Sequence, residues 1–212
     1  MATYPVHYRI ERPSALAPLQ LLIRIVAFCA LGILGISFGS VFAFAFLALP
    51  VIAAVRLAGR DATAYAADDG PRITSALRWF AAVSAWAGLV SDRLPARRPD
   101  EILVLEIEGA THPTPSSALW RLITGLPSAL VLCFLGWIGV FVWLWAALSI
   151  LFTQRIGPGA FDYLVGLQRW SIRLLAYQAS LIDEYPPFSF ADPEPAATDG
   201  IGRGARATAG AP

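Results

Sequence analysis

With 57% hydrophobic and only 15% charged residues, this 212-residue chain is too apolar for an ordinary soluble domain, where about a quarter of residues are charged. The formal net charge of +1 excludes bulk attraction to nucleic acid. All 16 basic residues are arginines, and the two cysteines, Cys29 and Cys133, lie inside apolar runs, which argues against a disulfide framework.

From the N-terminus, Tyr4 to Glu11 alternates Val6, Tyr8 and Ile10 with His7, Arg9 and Glu11, the period of a half-buried strand. From Ile25 to Val55, 31 consecutive residues carry no charge, far beyond the roughly 18 apolar residues that signal a membrane span. The run starts too late and is too long for a cleavable signal peptide, so it is expected to be retained. One helix of about 32 residues would reach about 48 Å, against about 30 Å of hydrocarbon. Two shorter helices, near 18–35 and 40–57, turning at Gly35–Gly39, are therefore expected. A polar loop follows, then a helix over Ile73 to Val90.

The second half repeats the first. Ile102 to Glu108 reads as a strand that pairs with the first one. An uncharged stretch of 33 residues, Leu122 to Gln154, predicts helices near 118–136 and 139–154 with a turn at Gly136–Gly139 and a cap at Ser117. Arg24 falls on Arg121 at an offset of 97, Arg78 on Arg169 and Pro95 on Pro186 at 91, so one loop insertion of six residues reconciles the copies. The expected units are 1–95, a divergent first membrane repeat; 96–117, a linker with the strand; 118–190, the second repeat; and 191–212, a disordered Pro/Gly/Ala-rich tail.

The fold expected is mainly α and membrane-integral: two tandem repeats, each a short strand, a transmembrane helical hairpin and an amphipathic helix. Four spans are favoured, with six as the rival. The hairpin tips are uncharged, whereas Arg9, Arg12, Arg56, Arg60, Arg93, Arg97, Arg98 and Arg155 collect at the other ends, which places that side and both termini in the cytoplasm. Arg24 and Arg121, inside their helices, are expected to snorkel to the membrane interface. Trp137, Trp143 and Trp145 would anchor or pack near the far interface.

The stretch LFTQRIGPGAFDYLVGLQRWSIRLLAYQASLIDEYPPFSF, with the apolar run and strand before it, resembles the bacterial membrane family known as domain of unknown function 4389. The first copy departs from it, with LAGRDATAYAADDGPRITSALRW in place of the glycine-proline loop. The resemblance implies an integral membrane protein and brings no activity, cofactor or catalytic residue.

The charged residues of the second copy form the candidate site. Asp162, Arg169 and Arg173 share one stripe of a helix, with Asp183, Glu184, Arg155 and Tyr163 nearby. Interfacial ion pairs are the plainer account. The sharper one is contact of Arg155, Arg169, Arg173, Asp162 and Asp183 with anionic lipid headgroups or a protein partner. His7 and His112 lack ligand spacing for a metal, and no nucleophile or phosphate-loop motif is present. These readings favour a non-enzymatic accessory or scaffold protein of the bacterial cytoplasmic membrane, without cofactor. Its partners would be the lipid bilayer, a membrane protein or a second copy. A small transporter or channel subunit, oligomeric in form, is the alternative.

Overall fold

The computed structural model describes residues 4–94, 98–108 and 111–191. Arg97, Pro95, parts of the 96–117 linker and the expected tail from 192 lie outside the described residues. The chain is mainly helical. Strand β1 (Val6–Arg9) precedes α1 (Pro18–Ile33) and α2 (Phe38–Ala58). A short turn α3 (Ala62–Ala64) winds through one wide π-helical turn, Tyr65–Asp69, into α4 (Gly70–Ala87). Strand β2 (Val104–Ile107), α5 (Pro115–Thr153) and α6 (Pro158–Gln178) complete it.

The strands pair antiparallel, as their alternation predicts, with Tyr8 opposite Leu105. Val6, Tyr8 and Leu105 turn inward and are buried. Because Tyr8 and Leu105 also stand 97 residues apart, each strand meets the other at its own equivalent position.

The expected second hairpin is not formed. Residues 115–153 make one unbroken helix of 39 residues, about 58 Å long. Gly136 and Gly139 are helical. Gly139 is small for packing rather than turning, since a Cβ there would stand 3.0 Å from Leu167 Cδ1. The helix also begins three residues before the expected position, because Thr114 caps it and Ser117 closes the reciprocal capping box.

The first run does break, at 34–37, and the cause is local. Gly35 adopts φ +70°, Ile36 N–H returns to Leu31 O, and Ser37 with Ser40 caps the next helix. At the matching positions α5 has Leu132, Phe134 and Trp137, which offer neither the left-handed residue nor the cap. The break is not a hairpin either. Leu16 N–H bonds Gln154 O, Phe28 meets the Trp143 ring edge-on at 5.8 Å, and Ala53, Ala54 and Leu57 cluster with Ala118. Thus α1 and α2 continue in one direction, antiparallel to α5 along its whole length.

Helices α4 and α6 form the next layer. Helix α6, expected as an amphipathic helix at the membrane face, is instead central: residues 172–178 are all buried. It packs between α5, α4 and the ribbon. Helices α4 and α6 end in the same way. Leu89 and Ser180, 91 residues apart, take φ 63° and 57°, and the next N–H closes onto Ala85 O and Ala176 O respectively. Ser180 is fully buried, and its hydroxyl has no partner among the described residues. Ser180→Gly is therefore expected to raise stability by about 1 kcal/mol, read as a higher midpoint in thermal unfolding. A lower midpoint would contradict this account of the helix end.

Candidate functional site: two arginine clamps

Arg24 and Arg121 stand immediately before the two uncharged runs, inside α1 and α5, and both are buried. Snorkelling to an interface is thus corrected. Each guanidinium turns inward because the chain leaving the next helix returns with a carbonyl and a carboxylate to meet it. Arg121 Nη1 donates to Tyr177 O at 2.7 Å and to Ile182 O, and Nη2 donates to Asp183 Oδ1 at 2.5 Å. The guanidinium carbon lies 4.6 Å from the centre of the Tyr177 ring. Arg24 Nη2 donates to Ser91 O at 2.5 Å and Asp92 Oδ1 at 3.1 Å, with Trp86 as the ring at 5.4 Å.

All but one of these contacts correspond, the exception being Tyr177 O, for which Arg24 has no counterpart. Arginines stand 97 residues apart, and carboxylates, carbonyls and rings all stand 91 apart. The second carboxylate oxygen of each takes a main-chain N–H, Ala17 for Asp92 and His112 for Asp183. Charge-assisted bonds from both terminal nitrogens offset the cost of removing the Arg121 guanidinium from water. Arg24 bonds through Nη2 alone, and its Nε and Nη1 have no hydrogen-bond partner among the described residues. The clamps fasten the start of each long apolar run to the chain that follows the paired helix. Asp92 was the residue missed from sequence, although SDRLP against IDEYP already places it opposite Asp183.

The expected charged cluster is dispersed. Asp183 belongs to Arg121, and Asp162, Glu184 and Arg155 are exposed. Arg169 and Arg173 share a face, as their spacing predicts, but that face points into the protein. Arg169 Nε donates to Tyr8 O at 3.1 Å and Nη1 to Phe190 O. Arg173, wholly buried, donates to Ala191 O at 3.1 Å and lies over the Tyr4 ring. Both arginines therefore hold the C-terminal return and the ribbon. Arg78, 91 residues before Arg169, reaches the ribbon in the same way through Leu105 O. Tyr163 donates to Leu135 O.

Burial raises the tyrosine hydroxyls of this inner layer. Tyr4 and Tyr8 are pushed well above the ordinary phenol range, mainly by loss of solvent, with Arg173 and Arg169 opposing it respectively. Tyr65, which donates to Ala179 O, is pushed up to about 12 by burial and then by Asp69. All three are neutral at ordinary pH. Tyr8 donates to Gln168 Oε1 at 2.9 Å, whereas the Tyr4 hydroxyl has no hydrogen-bond partner among the described residues. Among the described residues, no three His, Cys, Asp or Glu side chains gather as a metal site.

Residues 115–189 match the family described as Domain of unknown function (DUF4389). The matched region spans α5, α6 and the return through Tyr185, so it contains Arg121, Tyr177, Ile182 and Asp183, though not His112. The Arg24 clamp lies outside the matched DUF4389 region. No curated protein and no solved structure matches the chain.

Proposed function

We propose that this is a membrane-embedded accessory or scaffold protein of the bacterial cytoplasmic membrane, built from two copies of one strand–helix–helix unit. One observation carries the membrane reading. Helices Phe38–Ala58 and Pro115–Thr153 are long and apolar enough to cross a bilayer, and only 22% and 17% of their most apolar windows are buried. The core helix of a soluble protein would be mostly covered. Here Phe134, Trp137, Phe141 and Trp145 are each 67–70% exposed, far more apolar surface than a soluble monomer shows.

The shape favours immersion from one side over straight crossing. Exposed apolar residues run along α5 from Trp120 to Phe152, about 48 Å, beyond the about 30 Å of hydrocarbon. The ribbon, with Arg9 and Glu106 exposed, covers α4 and α6 on the layer away from α5. A crossing would hold those charges at mid-membrane, whereas immersion of the α1–α2 and α5 layer leaves them in water. The recurrence of clamps, helix ends and ribbon contacts at fixed offsets supports the duplication. Engagement of the interior arginines by their own chain favours a structural role over a transport path.

Single cysteines at Ser116 and Arg155, the two ends of α5, test this in a Cys29→Ser, Cys133→Ser background. The protein is expected to stay with membranes through an alkaline carbonate wash. Both positions are expected to react with an impermeant maleimide from the same side of sealed vesicles. Release by carbonate would overturn the membrane reading, and reaction from opposite sides would overturn one-sided immersion.

A further inference from the structure

The first unit contains a groove. It lies between α2 and α4, holds about 390 Å³, and is floored by Leu49, Ala76, Leu77, Phe80 and Leu175. That volume is within the range of about 300–1,000 Å³ typical of small-molecule sites. Its rim carries Arg56, Arg72 and Asp69. Asp69 is shared at long range by Arg56 at 3.8 Å and Arg60 at 3.5 Å, while Asp68 meets Arg60 at 3.5 Å. Arg72 has no hydrogen-bond or ion-pair partner among the described residues. Three arginines against two aspartates leave one positive charge at the mouth of an apolar trough.

Ninety-one residues on, Tyr163 replaces Arg72 and Leu167 replaces Ala76. Tyr163 reaches across to Leu135 O at 2.8 Å, and Leu167 seats against Gly139, so the matching positions of the second unit carry a larger apolar side chain and no cation. The small side chain and the unpaired guanidinium thus occur together, in one unit only.

We propose that this groove binds an anionic phospholipid, with its phosphodiester at Arg56 and Arg72 and an acyl chain along Leu49, Ala76, Leu77 and Phe80. A single phosphodiester charge matches the single excess cation, and guanidinium groups meet phosphate oxygens in paired hydrogen bonds. The site deepens the membrane reading, because the lipid enters from the bilayer.

The test is native mass spectrometry of the full chain in detergent, with phosphatidylglycerol or phosphatidylcholine added. Wild type is expected to retain phosphatidylglycerol in preference to phosphatidylcholine. Arg72→Ala is expected to weaken that retention about tenfold without lowering the unfolding midpoint, since Arg72 supports no other residue. Ala76→Leu, which imitates the second unit, is expected to exclude the lipid. Arg155→Ala, an exposed arginine outside the groove, leaves retention unchanged. Wild-type retention in both groove variants, equal retention of the two lipids, or equally effective competition by inorganic phosphate would each overturn the proposal. None of these outcomes alters carbonate resistance, so failure of the groove and failure of the membrane reading are told apart.

Discussion

Arg121→Ala is expected to destabilise the protein by about 3–5 kcal/mol, the range for removing one partner of a buried, hydrogen-bonded charge pair. The substitution takes from Ile182 O its donor in the interior, leaves Tyr177 O with only the Ser180 N–H, and leaves the Tyr177 ring without its cation. Asp183→Ala is expected to cost far less, about 1 kcal/mol, because its side chain is half exposed and Arg121 keeps both carbonyls. Arg121→Lys does not restore stability, since one ammonium cannot span three acceptors arranged for a fork. Thermal unfolding in detergent, followed by loss of the monodisperse species, gives the ranking. Equal effects of Arg121→Ala and Asp183→Ala would show that the carboxylate, not the carbonyl pair, holds the clamp.

The second large effect lies where α6 crosses α5. Gln178 is fully buried and its amide has no hydrogen-bond partner among the described residues. A Cβ at Gly125 would collide with that amide and stand 3.1 Å from the Phe46 ring. At the matching positions the first unit has Phe28 and Ala87, so large and small residues change places, and Phe28 meets Trp143 as Gly125 meets Phe46, 97 residues before Trp143. Gly125→Phe alone is expected to cost about 3 kcal/mol by overpacking. Adding Gln178→Ala is expected to recover about 2 kcal/mol of that loss, a coupling in the range found for residues in contact. A double-mutant cycle on unfolding midpoints measures it. Strict additivity would remove the packing argument for common descent of the two units.

Much of this architecture is legible in the sequence. The 97 and 91 offsets, the two strands and their pairing can be read from alternation and self-similarity alone, and so can the break near Gly35. The second hairpin was misread because glycine by itself does not end a helix. Gly35 does so in company with Ser37 and Ser40, which supply a cap for the next helix, and no such cap follows Gly136. Length against bilayer thickness misled as well, since it presumes crossing. The spacing of Arg169 and Arg173 on α6 puts them on one face, but the direction of that face depends on the ribbon and the C-terminal return, which are distant in sequence, and Asp162 is exposed apart from them. Buried arginines look like interfacial ones until the chain bringing their carbonyl partners is in place.

The central strand pairing has a consequence for any chain that holds a single such unit. Each arginine clamp closes within its own half, Arg24 with Asp92 and Arg121 with Asp183, whereas the ribbon and its arginine supports close only between halves. Under the proposed duplication, Tyr8 facing Leu105 corresponds to an isologous contact, in which a position meets its own counterpart. A lone unit would carry an open strand edge and one bare helical flank, and homodimerisation would cover both at once.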